Sequence, residues 1–421
     1  MSSSLRMIWL ITIMRNDAEC GVRSVKEGVK TMATRYRVGV VFGGRSVEHE
    51  VSIVTAHQVI EAMNREKYDM VPLYITKDGR WFSGEKLRDL RNFKDLTAVT
   101  SGLDQLFLSP DPSVKGLVSA KPGGWFRRSK QVKLDLIFPV IHGTYGEDGT
   151  LQGLCELADL PYVGAGVLGS AVGMDKIIMK MVFRQEKLPI VNYVWLSRKM
   201  WERKPDEIID MVEQELPYPL FVKPANLGSS VGITRARNQD ELKFAIEVAS
   251  HYDRRLIVEE GLTRIIEVNC SVLGNDDPVP SICEQPVSWE EFLSYEDKYL
   301  RGGKSQGMKG SDRRIPAPIS SELTAEVQRL AVKAFKAVDC RGIARIDFLV
   351  DPEQHHVFVN EINTIPGSFS FYLWEPTGLK PPQLVDRVIE LAFEAYEERK
   401  KSTYSYESNL LRQMGEKGQK G

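Results

Sequence analysis

Cysteine is scarce in this chain. Five residues among 421 (Cys20, Cys155, Cys270, Cys283 and Cys340) lie far apart, with no CxxC pair. That excludes a disulfide framework and a thiolate zinc site, and it is the usage of a reducing compartment. A surplus of one charge sign is also missing. The formal net charge is −1 and the Lys and Arg residues are spread along the chain, so no nucleic-acid surface is marked. A membrane-length apolar run is absent too. Met7 to Met14 (MIWLITIM) falls far short of the ~20 residues a span needs. Arg6 before it would suit a signal peptide, but Asp17, Glu19 and Arg23 stand where small residues should mark cleavage. Residues 1–35 are therefore expected to be a disordered or non-native extension, with Met1 and Met32 both open as the start. Residues 401–421 read as a polar tail. The glycine turn after the first strand lacks GxGxxG spacing, and a later Gly/Ser loop lacks GxxxxGK[ST]. These absences count against a dinucleotide fingerprint there and against a P-loop kinase.

What is present is ordinary in bulk. Hydrophobic residues make up 42% and charged residues 27%, as in a soluble globular protein of two to four domains. Arg37–Phe42 (RVGVVF) reads as a buried strand that runs through Gly43-Gly44 into a helical pattern at Val51, Val54, Val59, Ile60 and Met63. Glu48 lies at that turn, either as a helix N-terminal acid or as a partner for a substrate ammonium. A strand at Met70–Ile75 leads into a polar region that ends near Lys130. A further strand at Leu134–Ile141 ends at His142, before the acidic glycine loop Gly146–Gly153. In an open α/β sheet ligands sit at the C-terminal strand ends, where Glu48 and His142 both fall. A histidine there serves either structure or chemistry.

Asp175-Lys176 opens another helix. Lys223 stands in an apolar strand just ahead of Asn226-Leu227-Gly228-Ser229-Ser230-Val231-Gly232. This is an ordinary hairpin turn or a loop whose amides and hydroxyls close over phosphates, with the lysine as a point charge. Strands at Leu256–Val258 and Glu267–Leu273 follow, then a Gly/Lys/Ser-rich segment at 301–314. Ser320 and Ser321 open a helix whose Val327, Leu330, Ala331, Ala334, Phe335 and Val338 share one face.

That helix delivers the chain to its most informative stretch. Ile343–Val350 and Val357–Asn363 are Ile/Val/Phe-rich runs punctuated by Asp351-Pro352, the pattern of a hairpin. Alternate residues of a strand share a face. Arg345 and Asp347 therefore point together, as do Glu361 and Asn363. If the strands pair, three oxygen donors converge beside one guanidinium. The arrangement is either a buried salt bridge or a magnesium site adjoining a phosphate or oxyanion.

Eight motifs in order (FGGRSVEHEVS, HGTYGEDGTLQG, GMDK, VKPANLGSSVG, VEEG, YEDKYL, GIARIDF and NEINTIPGS) resemble the ATP-grasp superfamily and, within it, the D-alanine–D-alanine ligases of bacterial wall synthesis. The resemblance covers Arg37 to about Glu398. It implies an ATP-grasp fold of α/β and α+β character, preceded by an open α/β (pre-ATP-grasp) N-terminal domain. The implied boundaries are an N-terminal substrate domain at 36–164, a central lid domain at 165–259 and a catalytic domain at 260–400. Carried over residue by residue, Lys176 and Lys223 would contact ATP phosphates, Lys298 would reach the γ-phosphate, and Gly228, Ser229 and Ser230 would form the loop over them. Glu259, Glu260, Gly261 and Leu262 would be the adenine hinge, with Glu267 at the ribose. Asp347, Glu361 and Asn363 would hold two magnesium ions, or manganese in their place. Glu48 would bind the first D-alanine's ammonium, with Ser229 and Tyr299 closing the lid toward it and His142 near its carboxylate. Arg345 and the Gly367 amide would stabilise the oxyanion.

The resemblance further implies a cytoplasmic homodimer that takes ATP and D-alanine and engages neither nucleic acid nor membrane. The chain departs from the family pattern in three places. Tyr372 and Leu373 stand where a serine and a leucine would bind the second substrate's carboxylate. The strand RIIEVNCSVLG looks one residue longer than usual, and the 301–314 loop is unusually rich in glycine and lysine. Tyr299 points to D-alanine as acceptor. D-Serine or D-lactate in its place, and a catalytically idle nucleotide-binding protein on the same fold, are the competing readings. The intact set Glu48, Lys223, Arg345, Asp347, Glu361 and Asn363 weighs against the idle one.

Overall fold

A computed structural model of the chain describes residues 35–120, 131–228, 231–286 and 313–405. The first strand, β1 (Tyr36–Gly43), is apolar on both sides and lies deep in a seven-stranded sheet. It pairs in parallel with β2 (Tyr68–Ile75) and β7 (Leu136–Pro139). The polar region after β2 is not loop alone, as its composition suggested. It contributes β3 (Trp81–Ser83), β4 (Asp104–Leu108), β5 (Gly116–Ser119) and β6 (Gln131–Lys133), all added antiparallel, so the sheet order is β6-β5-β4-β3-β2-β1-β7. These strands are three to five residues long, too short for a periodicity signal to rise above turn chemistry.

Helix α1 (His49–Ala62) starts directly after β1. Ser52 anchors it by accepting the Gly43 N–H (2.8 Å) and donating to the Val140 carbonyl (2.6 Å), which ties the ends of β1 and β7 to the first helical turn. Gly43 adopts φ +89°, and a Cβ there would lie 2.3 Å from the Ile75 carbonyl oxygen. The turn requires glycine. Helices α2 (Thr150–Leu157), α3 (Val167–Met174) and α4 (Lys176–Gln185) lead out of this sheet. Asp175 caps α4, accepting the Ile177 and Ile178 N–H groups, as the sequence predicted.

A four-stranded antiparallel sheet follows, in the order β10-β9-β11-β8. Its strands are β8 (Tyr193–Ser197), β9 (Leu220–Pro224), β10 (Thr234–Ala236) and β11 (Arg255–Glu260). Short α5 (Arg198–Arg203) precedes α6 (Pro205–Glu215); α6 and α7 (Gln239–Tyr252) cover one face through Ile208, Ile209, Val212, Leu242, Ala245, Ile246 and Ala249.

The third sheet is also antiparallel, in the order β14-β13-β12-β15-β16. It is built from β12 (Ile266–Gly274), β13 (Val279–Pro286), β14 (Arg313–Arg314), β15 (Gly342–Asp351) and β16 (His356–Asn363). The predicted hairpin is β15–β16. Helix α8 (Ser321–Ala337) lies on one face, with Ser320 capping it by accepting the Leu323 N–H. Its Val327, Leu330, Ala331, Ala334 and Phe335 pack against Val268, Cys270, Val272, Ala344, Ile346 and Phe348. Burying each large apolar side chain in this layer contributes roughly 1.5–3 kcal/mol, which fixes which face of β12 and β15 is left for chemistry. β12 pairs with β15 without interruption, and the irregularity between Cys270 and Val272 places one more residue in β13 than in the facing stretch of β12.

Short α9 (Phe371–Thr377) and long α10 (Pro381–Lys400) close the fold. The Trp374 indole of α9, 1% exposed, donates to Ser271 Oγ (2.9 Å), which donates in turn to the Ala344 carbonyl (2.9 Å). Among the described residues no helix is long and apolar enough to cross a membrane.

Candidate active site

Because Ala344, Ile346 and Phe348 face α8, Arg345 and Asp347 face the other way. Strand register extends that face across the sheet. Glu361 stands opposite Asp347, Asp347 opposite Asn269, and Asn269 opposite Glu284, while Arg345 lies between Asn363 and Ser271. One cross-strand row thus reads Glu361, Asp347, Asn269, Glu284. Arg345 grips Asp347 with two parallel bonds, Nε to Oδ1 at 2.6 Å and Nη2 to Oδ2 at 2.7 Å. Asn363 donates to Asp347 Oδ2 at 3.0 Å. The salt bridge and the donor cluster, alternatives in the sequence, coexist here.

Among the described residues no trio of His, Cys, Asp or Glu forms a metal cluster; the predicted donors Asp347, Glu361 and Asn363 are two carboxylates and a carboxamide. Burial pushes the Asp347 carboxyl up, and Glu361 and Glu267 add repulsion against the pull of Arg345. Crowded hard oxygens of this kind fit a divalent cation such as magnesium. A half-turn of the Asn363 amide would bring its Oδ1 to the same side. Glu267 is exposed on β12, opposite Leu349, and within electrostatic reach of both Lys223 and Asp347.

Helix α4 joins this row to the four-stranded sheet. Lys176 Nζ lies 3.5 Å from Glu361 Oε2 and donates to the Leu227 carbonyl (2.9 Å). One turn on, Lys180 Nζ lies 3.0 Å from Glu259 Oε1. Lys223 donates to the other Glu259 oxygen at 2.6 Å. Burial alone would raise the Glu259 carboxyl, but Lys180 and Lys223 hold it down at about 2. Burial lowers Lys180. Lys223 is held up by Glu259 in spite of burial. Glu260 accepts from the Asn192 amide (2.8 Å), and the Gly261 N–H is taken by the Pro219 carbonyl (2.8 Å). Half-buried Leu262 follows. The sequence marked Lys176, Lys223 and Glu259 but not Lys180. Its signal was a second lysine four residues after the first on a helix whose neighbours are apolar.

Glu48 sits at the N-cap of α1 between two loops. A Cβ on Gly143 would lie 2.8 Å from Glu48 Oε2, and one on Gly228 would lie 2.5 Å from it. Both loops therefore approach this carboxylate as closely as backbone can. The predicted lid residues Ser229, Ser230, Lys298 and Tyr299 lie outside the described residues. Gly367 opens a turn in which Ser368, Phe369 and Ser370 all adopt positive φ, near +50°, a conformation that non-glycine residues hold only when the surroundings impose it. His142 helps impose it. Its Nδ1 bonds the Ile365 carbonyl (2.8 Å) and its Nε2 bonds Thr55 Oγ1 (3.0 Å). With both nitrogens engaged, His142 acts here as a strut, and burial lowers its basicity.

Glu147 is the second brace, and sequence reading passed over it. Its Oε1 accepts the Ile365 N–H (2.7 Å) and its Oε2 the Gly143 N–H (2.9 Å). Burial, and then Glu48, raise its carboxyl to about 7. A folded-state value above the unfolded one of about 4.5 contributes stability that is full below pH 4.5 and is lost as pH rises through 7. Glu147→Gln is expected to remove about 3 kcal/mol of that decline in urea unfolding between pH 4.5 and 7.5. It should also lower kcat about tenfold, because one braced amide loses its acceptor. Parallel unfolding profiles for the two proteins would contradict this.

The chain is similar to known proteins over most of its length. Residues 37–165 match the family model described as D-ala D-ala ligase N-terminus, and residues 182–390 match D-ala D-ala ligase C-terminus. A D-alanine–D-alanine ligase of Natranaerobius thermophilus is 41% identical over 377 residues, covering 88% of this chain and 99% of that protein. The structure of the D-alanine-D-alanine ligase from Coxiella burnetii is similar with a TM-score of 0.73 at 32% identity, covering 92% of this chain and all of that one. The VanG D-Ala:D-Ser ligase from Enterococcus faecalis is similar with a TM-score of 0.72 at 36% identity, covering 85% of this chain and all of that one.

Proposed function

The chain belongs to the D-alanine–D-alanine ligase family, and from that premise we propose how its residues carry out the ATP-dependent joining of two D-alanines. A carboxylate is a poor acyl donor because its leaving group would be oxide. The donor's carboxylate oxygen therefore attacks the γ-phosphorus of ATP and ADP leaves. The second D-alanine's amine then attacks the carbonyl carbon of the acyl phosphate and loses a proton. The tetrahedral intermediate collapses with loss of phosphate and formation of the peptide bond.

The observation that carries this reading is the convergence of two sheets on α4, which sets Lys176 beside Glu361 and Lys180 and Lys223 on Glu259. Lys176 and Lys223 offer point charges to the phosphates, and the Glu259–Leu262 hinge offers acceptors and backbone to the base. Asp347, Glu361 and Asn363 would hold divalent metal, which we take as two magnesium ions with manganese as a substitute; it would neutralise the phosphate oxygens. Glu48 pairs with the donor's ammonium, and the close approach of Gly143 and Gly228 supports that placement. Arg345 and the Gly367 amide face the developing oxyanion. Ser229, Ser230, Lys298 and Tyr299 would complete the lid and keep water from the acyl phosphate. Domain boundaries near 164 and 259, a cytoplasmic site of action and a homodimeric state belong to the same reading.

An ADP-release assay with D-alanine, D-serine and D-lactate, with products identified by mass, tests it. D-alanine alone should drive ADP release and give D-alanyl-D-alanine. No ADP with any pair would sink the ligase reading. A mixed product in preference to the D-alanine dipeptide would sink only the choice of acceptor.

A further inference from the structure

Beyond Gly367 the chain carries Tyr372 and Leu373 where the family resemblance implies a serine and a leucine, and the structure shows their surroundings. The charged row has a direction. Glu361 and Lys176 mark its phosphate end, Arg345 the reacting carbon, and Asn269 with Glu284 the far end. The acceptor must enter from that far end, because the leaving phosphate occupies the other.

Four side chains close it. Asn269 donates to Glu284 Oε1 at 3.1 Å. Glu284, 1% exposed, takes Nη1 of Arg313 at 3.3 Å. The Arg313 guanidinium carbon lies over the Tyr372 ring, 3.7 Å from its centroid. Tyr372 sits within electrostatic reach of Glu284 and of Arg345. A tyrosine ring beneath a guanidinium thus stands where a serine is expected, and Leu373 beside it is wholly buried. α9, which carries both residues, is moored by Trp374 to Ser271, the cross-strand neighbour of Arg345.

We propose that Arg313 is the residue that binds the acceptor's carboxylate, held in place by Glu284 on one edge and by the Tyr372 ring beneath it. The inference rests on the ligase reading above. A guanidinium carries five N–H donors in one plane, so it can keep Glu284 on one side and take a carboxylate on another by a bidentate bond. Its side chain is 20% exposed, accessible yet largely shielded from water. Asn269 donates to Glu284 and helps keep it from withdrawing the arginine from the substrate. Recognition of an α-carboxylate by a fixed cation selects an amino acid over its amide and is indifferent to a small side chain. Acceptor identity is then set by whatever flanks the acceptor's β-carbon.

Initial-rate kinetics on Arg313→Gln and Arg313→Lys, with D-alanine and D-alaninamide as acceptors, test this. Arg313→Gln should raise the acceptor KM about 10- to 100-fold while the KM for donor D-alanine and for ATP stays near wild type. D-alaninamide should be used equally by the wild type and the variant. Arg313→Lys, which keeps the charge and the fold, should recover part of the acceptor affinity. An unchanged acceptor KM, or equal losses for D-alanine and D-alaninamide, would overturn the assignment and leave Arg313 a structural residue. A wild-type enzyme inactive with D-alanine would instead overturn the ligase reading, and this inference with it.

Discussion

Arg345→Ala is expected to lower kcat about a thousandfold while ATP affinity stays roughly unchanged. Arg345 lies alongside the charged row, between Asn363 and Ser271, and holds Asp347 of that row by two bonds of 2.6 and 2.7 Å. Its charge is secure, since Asp347 holds the guanidinium well above its ordinary value despite burial. A fixed cation there meets negative charge only as the tetrahedral intermediate forms, so its loss falls on the chemical step rather than on binding. The nucleotide groups Lys223 and Glu259 belong to the other sheet, with Lys180 of α4 beside them, and their ion pairs do not include Arg345. Removing Arg345 also leaves Asp347 buried beside Glu361, which should make the free enzyme bind divalent cation more tightly. Single-turnover rates and ATP titration separate these effects. Arg345→Lys should retain more activity than alanine but less than wild type, because an ammonium cannot reproduce the paired bonds. Normal turnover in Arg345→Ala would remove it from the oxyanion site.

Much of this site could be read from residue pattern because it lies on long strands. Ile343–Asn363 alternates apolar and polar residues with a clear break, so the pairing of Arg345 and Asp347 with Asn363 and Glu361 follows from a period of two. Asp175 before α4 and Ser320 before α8 are caps whose chemistry is local, and both formed as expected. What escaped is non-local. Glu147 reaches Ile365 across 218 positions, and no spacing rule links an acidic glycine loop to a turn that distant. Arg313 and Tyr372 meet only because α9 folds back over β13 and β14. The antiparallel strands β3–β6 escaped for the opposite reason, being only three to five residues long, with pairing set by neighbours rather than by their own periodicity. The His142 ring, placed correctly at a strand end, proved to have both nitrogens engaged, a fact of tertiary hydrogen bonding that residue type cannot disclose.

Glu259→Gln is expected to cost about 3–5 kcal/mol of folding stability at neutral pH, the usual consequence of removing one partner from a buried ion pair. Glu259 is 3% exposed and lies between two lysines, one of them, Lys180, with a side chain only 1% exposed. Glutamine keeps the shape and leaves both ammoniums without their nearest counter-charge. Lys180, already lowered by burial, should then shed its proton, and Lys223 should lose the orientation that presents it to phosphate, raising KM for ATP. The pH dependence runs in the carboxylate sense. The folded value of about 2 lies below the unfolded 4.5, so this stability is present above pH 4.5 and is lost as pH falls toward 2. Wild-type unfolding energy should therefore drop between pH 5 and 3 more steeply than that of Glu259→Gln. Lys180→Met removes the ammonium that the carboxylate compensates, so the double variant Lys180→Met/Glu259→Gln should be less destabilised than the sum of the single changes. Urea unfolding of the four proteins decides the matter. A loss under about 1 kcal/mol in Glu259→Gln, or additive losses in the double variant, would show that the two lysines do not depend on this carboxylate.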